Sequence, residues 1–132
     1  MTERDGTQPA SDGAQPRFGL HRNEIGRITV IAVRGALDMV TAPRLHTGLG
    51  TCRTERPAAI IVDLSEVDFL ASAGMAVLAG AAEAAARDGV AFSVVARGPA
   101  TSRPLQLTNL ADVLRLQPTL EEALSEVRRA LW

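Results

Sequence analysis

Three short apolar runs constrain the fold of this chain more than any other feature: Ile28–Val33 (ITVIAV), Ala59–Val62 (AIIV) and Ala91–Ala96 (AFSVVA). None of them alternates cleanly between apolar and polar residues. A strand can be apolar on both sides only when both faces of its sheet are covered, as they are in parallel sheets flanked by helices. A weaker run lies at Val113–Leu116, and Phe18–Asn23 reads as a further strand that turns through Glu24–Gly26 into Ile28–Val33. The chain therefore opens with a hairpin.

Between these runs the pattern is helical. Thr41 is placed to cap a helix beginning Ala42-Pro43, where proline in the first turn costs no intrahelical bond. Ala42, Leu45, Leu49 and Cys52 then fall along one stripe, so Cys52 is expected to be a buried, inert small hydrophobe. Ser72 is expected to cap the helix Ala73–Arg87, which runs into Asp88-Gly89 with glycine for the left-handed end. A third helix begins near Thr101, keeps Pro104 in its first turn and stops around Asn109. Thr119-Leu120-Glu121-Glu122 forms a capping box for the last helix, whose apolar face is Leu120, Ala123, Leu124, Val127 and Leu131. The order β-β-α-β-α-β-α-β-α predicts an α/β fold, with an opening hairpin and then βα repeats that build a mixed, mostly parallel sheet.

Composition narrows the function. Residues 1–16 carry no large apolar side chain after Met1, so a disordered tail is expected there, with one domain over residues 17–132. Fourteen Arg and no Lys against fifteen acids leave a net charge of −1, which makes no electrostatic case for nucleic acid or a membrane surface. Phe18, Phe69, Phe92 and Trp132 are the only aromatics, too few for a base-stacking platform. A single cysteine excludes an intrachain disulfide, and His21 and His46, both expected to face solvent, are too isolated to suggest a metal site. No apolar run approaches the roughly 20 residues that cross a bilayer, and the start has no signal core, so a cytoplasmic domain without cofactor is expected.

The most informative segment is Ile60–Leu78, IIVDLSEVDFLASAGMAVL. A buried strand runs out through Asp63-Leu64-Ser65 and Val67-Asp68-Phe69, then turns into a helix at Ser72, with Asp63 and Asp68 expected to satisfy turn amides. The helix dipole and free first-turn amides favour an anion at that spot. Phosphate on Ser72 would add about −1.5 to −2 charges where they are tolerated. Small neighbours Ala71, Ala73 and Gly74 leave the hydroxyl open. The bland alternative is that Ser72 only caps its helix.

The stretch VDLSEVDFLASAG resembles the signature of STAS-domain anti-sigma factor antagonists, written loosely (V/L)DLSxVxF(I/M)DS(S/T/A)G(L/M). Gly35-Ala36-Leu37-Asp38 followed by Thr41-Ala42-Pro43-Arg44-Leu45 is similar to the family's G-E-(L/I)-D…(T/S)-A-P-x-L, and Leu105–Leu110 (LQLTNL) looks like its L-x-L-T-G-L. The likeness covers residues 17–131 and implies a STAS-type fold. It implies partner switching as well: the antagonist binds an anti-sigma factor, itself a GHKL-type serine kinase, and so frees a sigma factor. Phosphorylation by that kinase breaks the complex, and a PP2C-type phosphatase resets it.

Carried onto this sequence, the resemblance makes Ser72 the phospho-acceptor and Asp38 the acidic residue beside it. The partner surface would comprise Asp38, Met39, Thr41, Ala71, Ala73, Gly74 and Met75. Two positions depart from the pattern: Ala71 stands where the family has aspartate, and Ala36 where it has glutamate. Asp38 also has a local reading, as a cap of the following loop or a partner of Arg34 or Arg44.

Rival functions are thin. Leu70–Gly74 lacks the first glycine of a G-x-S-x-G elbow, no glycine-rich phosphate loop follows a strand, and a receiver domain would need a lysine, so no enzyme is expected. The alternative with most support is a STAS scaffold or sensor subunit that is never phosphorylated, either stressosome-like or associated with a transporter.

Overall fold

The computed structural model describes residues 17–131. The long apolar runs do form the sheet. β1 (Gly19–Ile25) and β2 (Ile28–Leu37) pair antiparallel, β3 (Ala59–Leu70) and β4 (Ala91–Val95) join in parallel, and the order is β1-β2-β3-β4. The hairpin closes on the pair Ile25 and Ile28, so its turn is Gly26-Arg27, with Gly26 at φ +62°. Four helices follow the sequence pattern: α1 (Ala42–Thr54), α2 (Ser72–Asp88), α3 (Ser102–Leu107) and α4 (Leu120–Ala130).

Both faces of the sheet are covered at its centre, which is why the runs Ile28–Val33, Ala59–Val62 and Ala91–Val95 are apolar on both sides. On one face Ile31, Val33, Leu37, Ile60 and Val62 pack against Leu45, Leu49 and Cys52 of α1, Leu78 of α2 and Leu105 of α3. On the other, Ile28, Val30, Ala59, Ile61 and Val95 meet Ala123 and Val127 of α4. Gly89 (φ +71°) and Asn109 (φ +63°) adopt the left-handed conformation expected past α2 and α3. The last apolar residue expected on α4, Leu131, is exposed at 40%.

Four local expectations need correction. The strand at Val113–Leu116 is a series of turns: Arg115 has φ +50°, and only a bridge from Gln117 to Val95 remains along the edge of β4. Leu114 is fully buried there, so the apolar signal came from one anchoring side chain. β3 is three times as long as the run Ala59–Val62, because Asp63, Ser65, Glu66 and Asp68 stay within the strand, at or beside its two register shifts against β2. At α4, by contrast, the expected cap forms: the Glu122 amide donates to Thr119 Oγ1 at 3.1 Å, and the Thr119 hydroxyl lies 3.0 Å from the Glu122 carboxylate. The third and fourth corrections, at Thr41 and Ser72, belong to the site below. The tail expected over residues 1–16 lies outside the described residues, as does Trp132.

Candidate functional site

Parallel pairing brings the C-terminal ends of β2 and β3 side by side, with Leu37 opposite Leu70. Two loops leave this edge. Asp38–Thr41 leads into α1, and Ala71 leads directly into α2. The Ala71 amide donates to the Leu37 carbonyl at 2.9 Å, which ties the two exits together. Gly74 completes the join: a Cβ there would lie 2.7 Å from Leu37 Cγ and 3.0 Å from the Leu37 carbonyl oxygen. Only glycine lets the first turn of α2 approach β2 so closely.

Ser72 is the first residue of α2, one position inside the cap expected for it; the N-cap is Ala71, which offers no side-chain acceptor. Among the described residues the Ser72 hydroxyl makes no hydrogen bond, and the residue is exposed. The turn closes instead through the Met75 amide on the Ala71 carbonyl at 3.1 Å, and the remaining first-turn amides lack intrahelical acceptors. An aspartate at position 71, which the sequence resemblance leads one to expect, would offer them an acceptor that Ala71 lacks.

The opposite holds at the neighbouring loop. One carboxylate oxygen of Asp38 accepts from the amides of Val40 (3.0 Å) and Thr41 (3.1 Å), and the Thr41 hydroxyl lies 3.1 Å away. That hydroxyl accepts from the Asp38 amide at 2.9 Å and donates to the Ala36 carbonyl at 2.7 Å. The Thr41 amide, with further help from the Thr41 hydroxyl and the Val40 amide, holds the Asp38 carboxyl below the usual carboxylate range. Among the described residues no ion pair joins Asp38 to Arg34 or Arg44; Arg44 stacks on Phe18, 4.9 Å from the ring centre. Asp38 therefore builds the loop beside the tip of α2. Thr41 sits at the N-cap of α1 but bonds back to β2 and to Asp38 and makes no cap to the helix.

Around the tip lie large apolar side chains in water. Met39 is exposed at 78%, Val40 at 79%, Leu107 at 72% and Phe69 at 55%. Met75 is half-buried, and its sulfur lies 3.7 Å from the Thr108 hydroxyl, which brings the end of α3 to the same rim. The sequence-predicted residues Asp38, Met39, Thr41 and Ala71–Met75 thus share one end of the molecule. Val40, Phe69 and Leu107 were missed there. An apolar residue in a sequence reads as core, and only the third motif, LQLTNL, hinted that Leu107 stood near the site.

Elsewhere Asp63 accepts from the Ser65 amide at 2.9 Å and from its hydroxyl, but within β3 and not in a turn, and among the described residues Asp68 accepts no such bond. Cys52 is buried, which pushes its thiol up. His21 and His46 face solvent. Among the described residues no three His, Cys, Asp or Glu side chains group as a metal site, and no helix is long and apolar enough to cross a membrane.

The STAS domain family model matches residues 20–123. The chain belongs to the STAS domain family. It is 40% identical over 101 residues to the anti-sigma-F factor antagonist RsfB of Mycobacterium tuberculosis, covering 76% of this chain and 82% of that protein. The anti-sigma-F factor antagonist RsfA of the same species is 32% identical over 124 residues, 90% of this chain and 91% of that one. A crystal structure of an anti-sigma factor antagonist from Mycobacterium paratuberculosis superposes with a TM-score of 0.80 at 41% identity, over 85% of this chain and 95% of that one. This STAS domain thus has an α2 tip whose hydroxyl is unengaged among the described residues and whose rim is apolar, joined by backbone to a self-contained acidic loop.

Proposed function

We propose that this STAS domain is an anti-sigma factor antagonist: it binds an anti-sigma factor of the GHKL serine-kinase type and so frees a sigma factor. The named relatives support the class, and the end of the molecule carrying Ser72 supplies the surface. Met39, Val40, Phe69 and Leu107 are the anchors, since large apolar side chains held in water gain most from being covered.

Ser72 is the switch, and the observation that carries this reading is its exposed hydroxyl, which has no hydrogen-bond partner among the described residues. The kinase transfers the γ-phosphoryl group of ATP to that oxygen, breaking its bond to the β-phosphate and releasing ADP and the hydroxyl proton. A dianion at a helix start is stabilised by the dipole and the open amides, so the fold persists. The same dianion pressed into an apolar interface loses its water without compensation, so the complex dissociates. A PP2C-type phosphatase restores the hydroxyl.

The test uses a panel of anti-sigma factors of the serine-kinase type, the anti-sigma-F factor of Mycobacterium tuberculosis among them. With ATP, intact mass should show one phosphate on the wild-type chain and none on Ser72→Ala, while Ser72→Ala still captures its partner. Capture without phosphate on either chain would remove the switch and leave a constitutive antagonist. Neither capture nor phosphate with any panel member would favour the scaffold or sensor reading, whose support is the missing acid at Ala71.

A further inference from the structure

α1 and α2 lie side by side on the sheet, and a valley runs between them from the first turns of α2 down to Arg87 and beyond. It consists of two depressions of about 370 and 480 Å³ that share Gly50 and Arg53. Its floor is apolar, with Val77, Ala81 and Ala84 of α2 beside Leu49 of α1. Its rim is basic: His46, Arg53, Arg56 and Arg87 border it. Asp88 is the one acid among its lining residues, and Arg53 already holds it at 3.2 Å. A chain whose net charge is −1 thus gathers an excess of positive charge along one groove.

Two glycines in this valley have no explanation in the fold. Gly50 and Gly80 lie inside helices, where glycine is less stable than alanine. A Cβ at either would meet nothing within 4 Å, in contrast to Gly74, whose Cβ would collide with Leu37. Packing within the chain therefore does not demand a glycine at either place. Close approach by a backbone from outside would.

We propose that this valley receives an acidic, amphipathic helix of the same anti-sigma factor that covers the Ser72 tip, its apolar ridge on the floor and its carboxylates on the arginine rim. The proposal rests on the antagonist reading above and adds a second contact to it. At about 1.5 Å per residue, Arg87 stands roughly 22 Å down α2 from Ser72, so the partner must be long enough to span both. Ala76, one turn beyond Ser72, lines the upper end and makes the two surfaces continuous. A nucleic-acid backbone would also seek the arginines, but it gains nothing from an apolar floor, whereas an amphipathic helix matches floor and rim together.

Two variants test this against the panel member that the wild-type chain binds. Arg53→Glu with Arg87→Glu should weaken binding by about tenfold or more and flatten its dependence on salt. Gly80→Leu should raise the melting temperature while weakening binding by a similar factor, because the side chain enters open space in the free domain and occupies the groove in the complex. A loss of binding alongside a gain of stability cannot arise from damage to the fold, so Gly80→Leu decides the matter if the charge variant fails to fold. Wild-type affinity in Gly80→Leu would overturn the proposal, and so would loss of binding to a short DNA duplex in the arginine variant with anti-sigma binding unchanged. If Met75→Arg abolishes binding while both valley variants bind normally, the tip reading stands and the valley reading falls. If no panel member binds the wild-type chain, both fall.

Discussion

α1 and α2 start from neighbouring strands at the same edge of the sheet, and each starts with a hydroxyl, Thr41 for one and Ser72 for the other. The Thr41 hydroxyl is fully employed: it accepts from the Asp38 amide and donates to the Ala36 carbonyl, 3.1 Å from the Asp38 carboxylate, and so ties the loop to β2. Among the described residues the Ser72 hydroxyl has no hydrogen-bond partner, and its helix is positioned by backbone contacts at Ala71 and Gly74. The contrast separates two uses of one functional group. A hydroxyl that holds the fold together cannot be modified without loosening it, whereas one that holds nothing can gain or lose a phosphate while the domain keeps its form.

The largest test of this contrast attacks the join. Gly74→Ala places a carbon against Leu37, including its backbone, and should destabilise the domain by about 1–3 kcal/mol in chemical denaturation. An unchanged midpoint would mean that α2 can shift at no cost and that its tip is not fixed by Gly74. Next, Thr41→Val removes a half-buried hydrogen-bonding hub and should cost about 1–2 kcal/mol. Were Thr41→Val neutral, the two helix starts would not differ as described.

A smaller effect is read from pH. The Asp38 carboxyl is held below its ordinary range in the folded state, so its contribution is present above about pH 4 and fades as pH falls through the folded value. Stability should therefore fall more steeply below that point in wild type than in Asp38→Asn. Parallel acid profiles would show that the loop bonds do not depend on the charge. Smallest of all, Ser72→Ala should change stability by less than about 0.5 kcal/mol, since no cap is lost. A loss near the 1 kcal/mol typical of an N-cap residue would restore Ser72 to a structural role.

Most of the architecture was legible in the sequence because its signals are local. ITVIAV and AIIV needed two covered faces, Thr119 and Glu122 marked the start of α4, and Gly89 and Asn109 marked helix ends. What failed depended on context. Polar residues after Val62 read as a strand running out, yet Asp63 and Ser65 bond to each other and stay in β3. Leu114 gave a strand-like signal from a turn, because burial of one side chain does not fix the backbone around it. Ser72 could be placed at the helix start but not assigned its bonding, since whether a serine caps its helix is decided by one residue of register. Val40, Phe69 and Leu107 could not be recognised as surface, because their exposure follows from where the chain bends and not from what they are.

The strap between Ala71 and Leu37 is made of main chain at both ends. Side chains on either exit can therefore change by mutation without loosening it, and related domains can present different chemical faces from a common footing. Paralogues in one cell could diverge toward separate partners in this way, each keeping the two exits locked in the same mutual orientation.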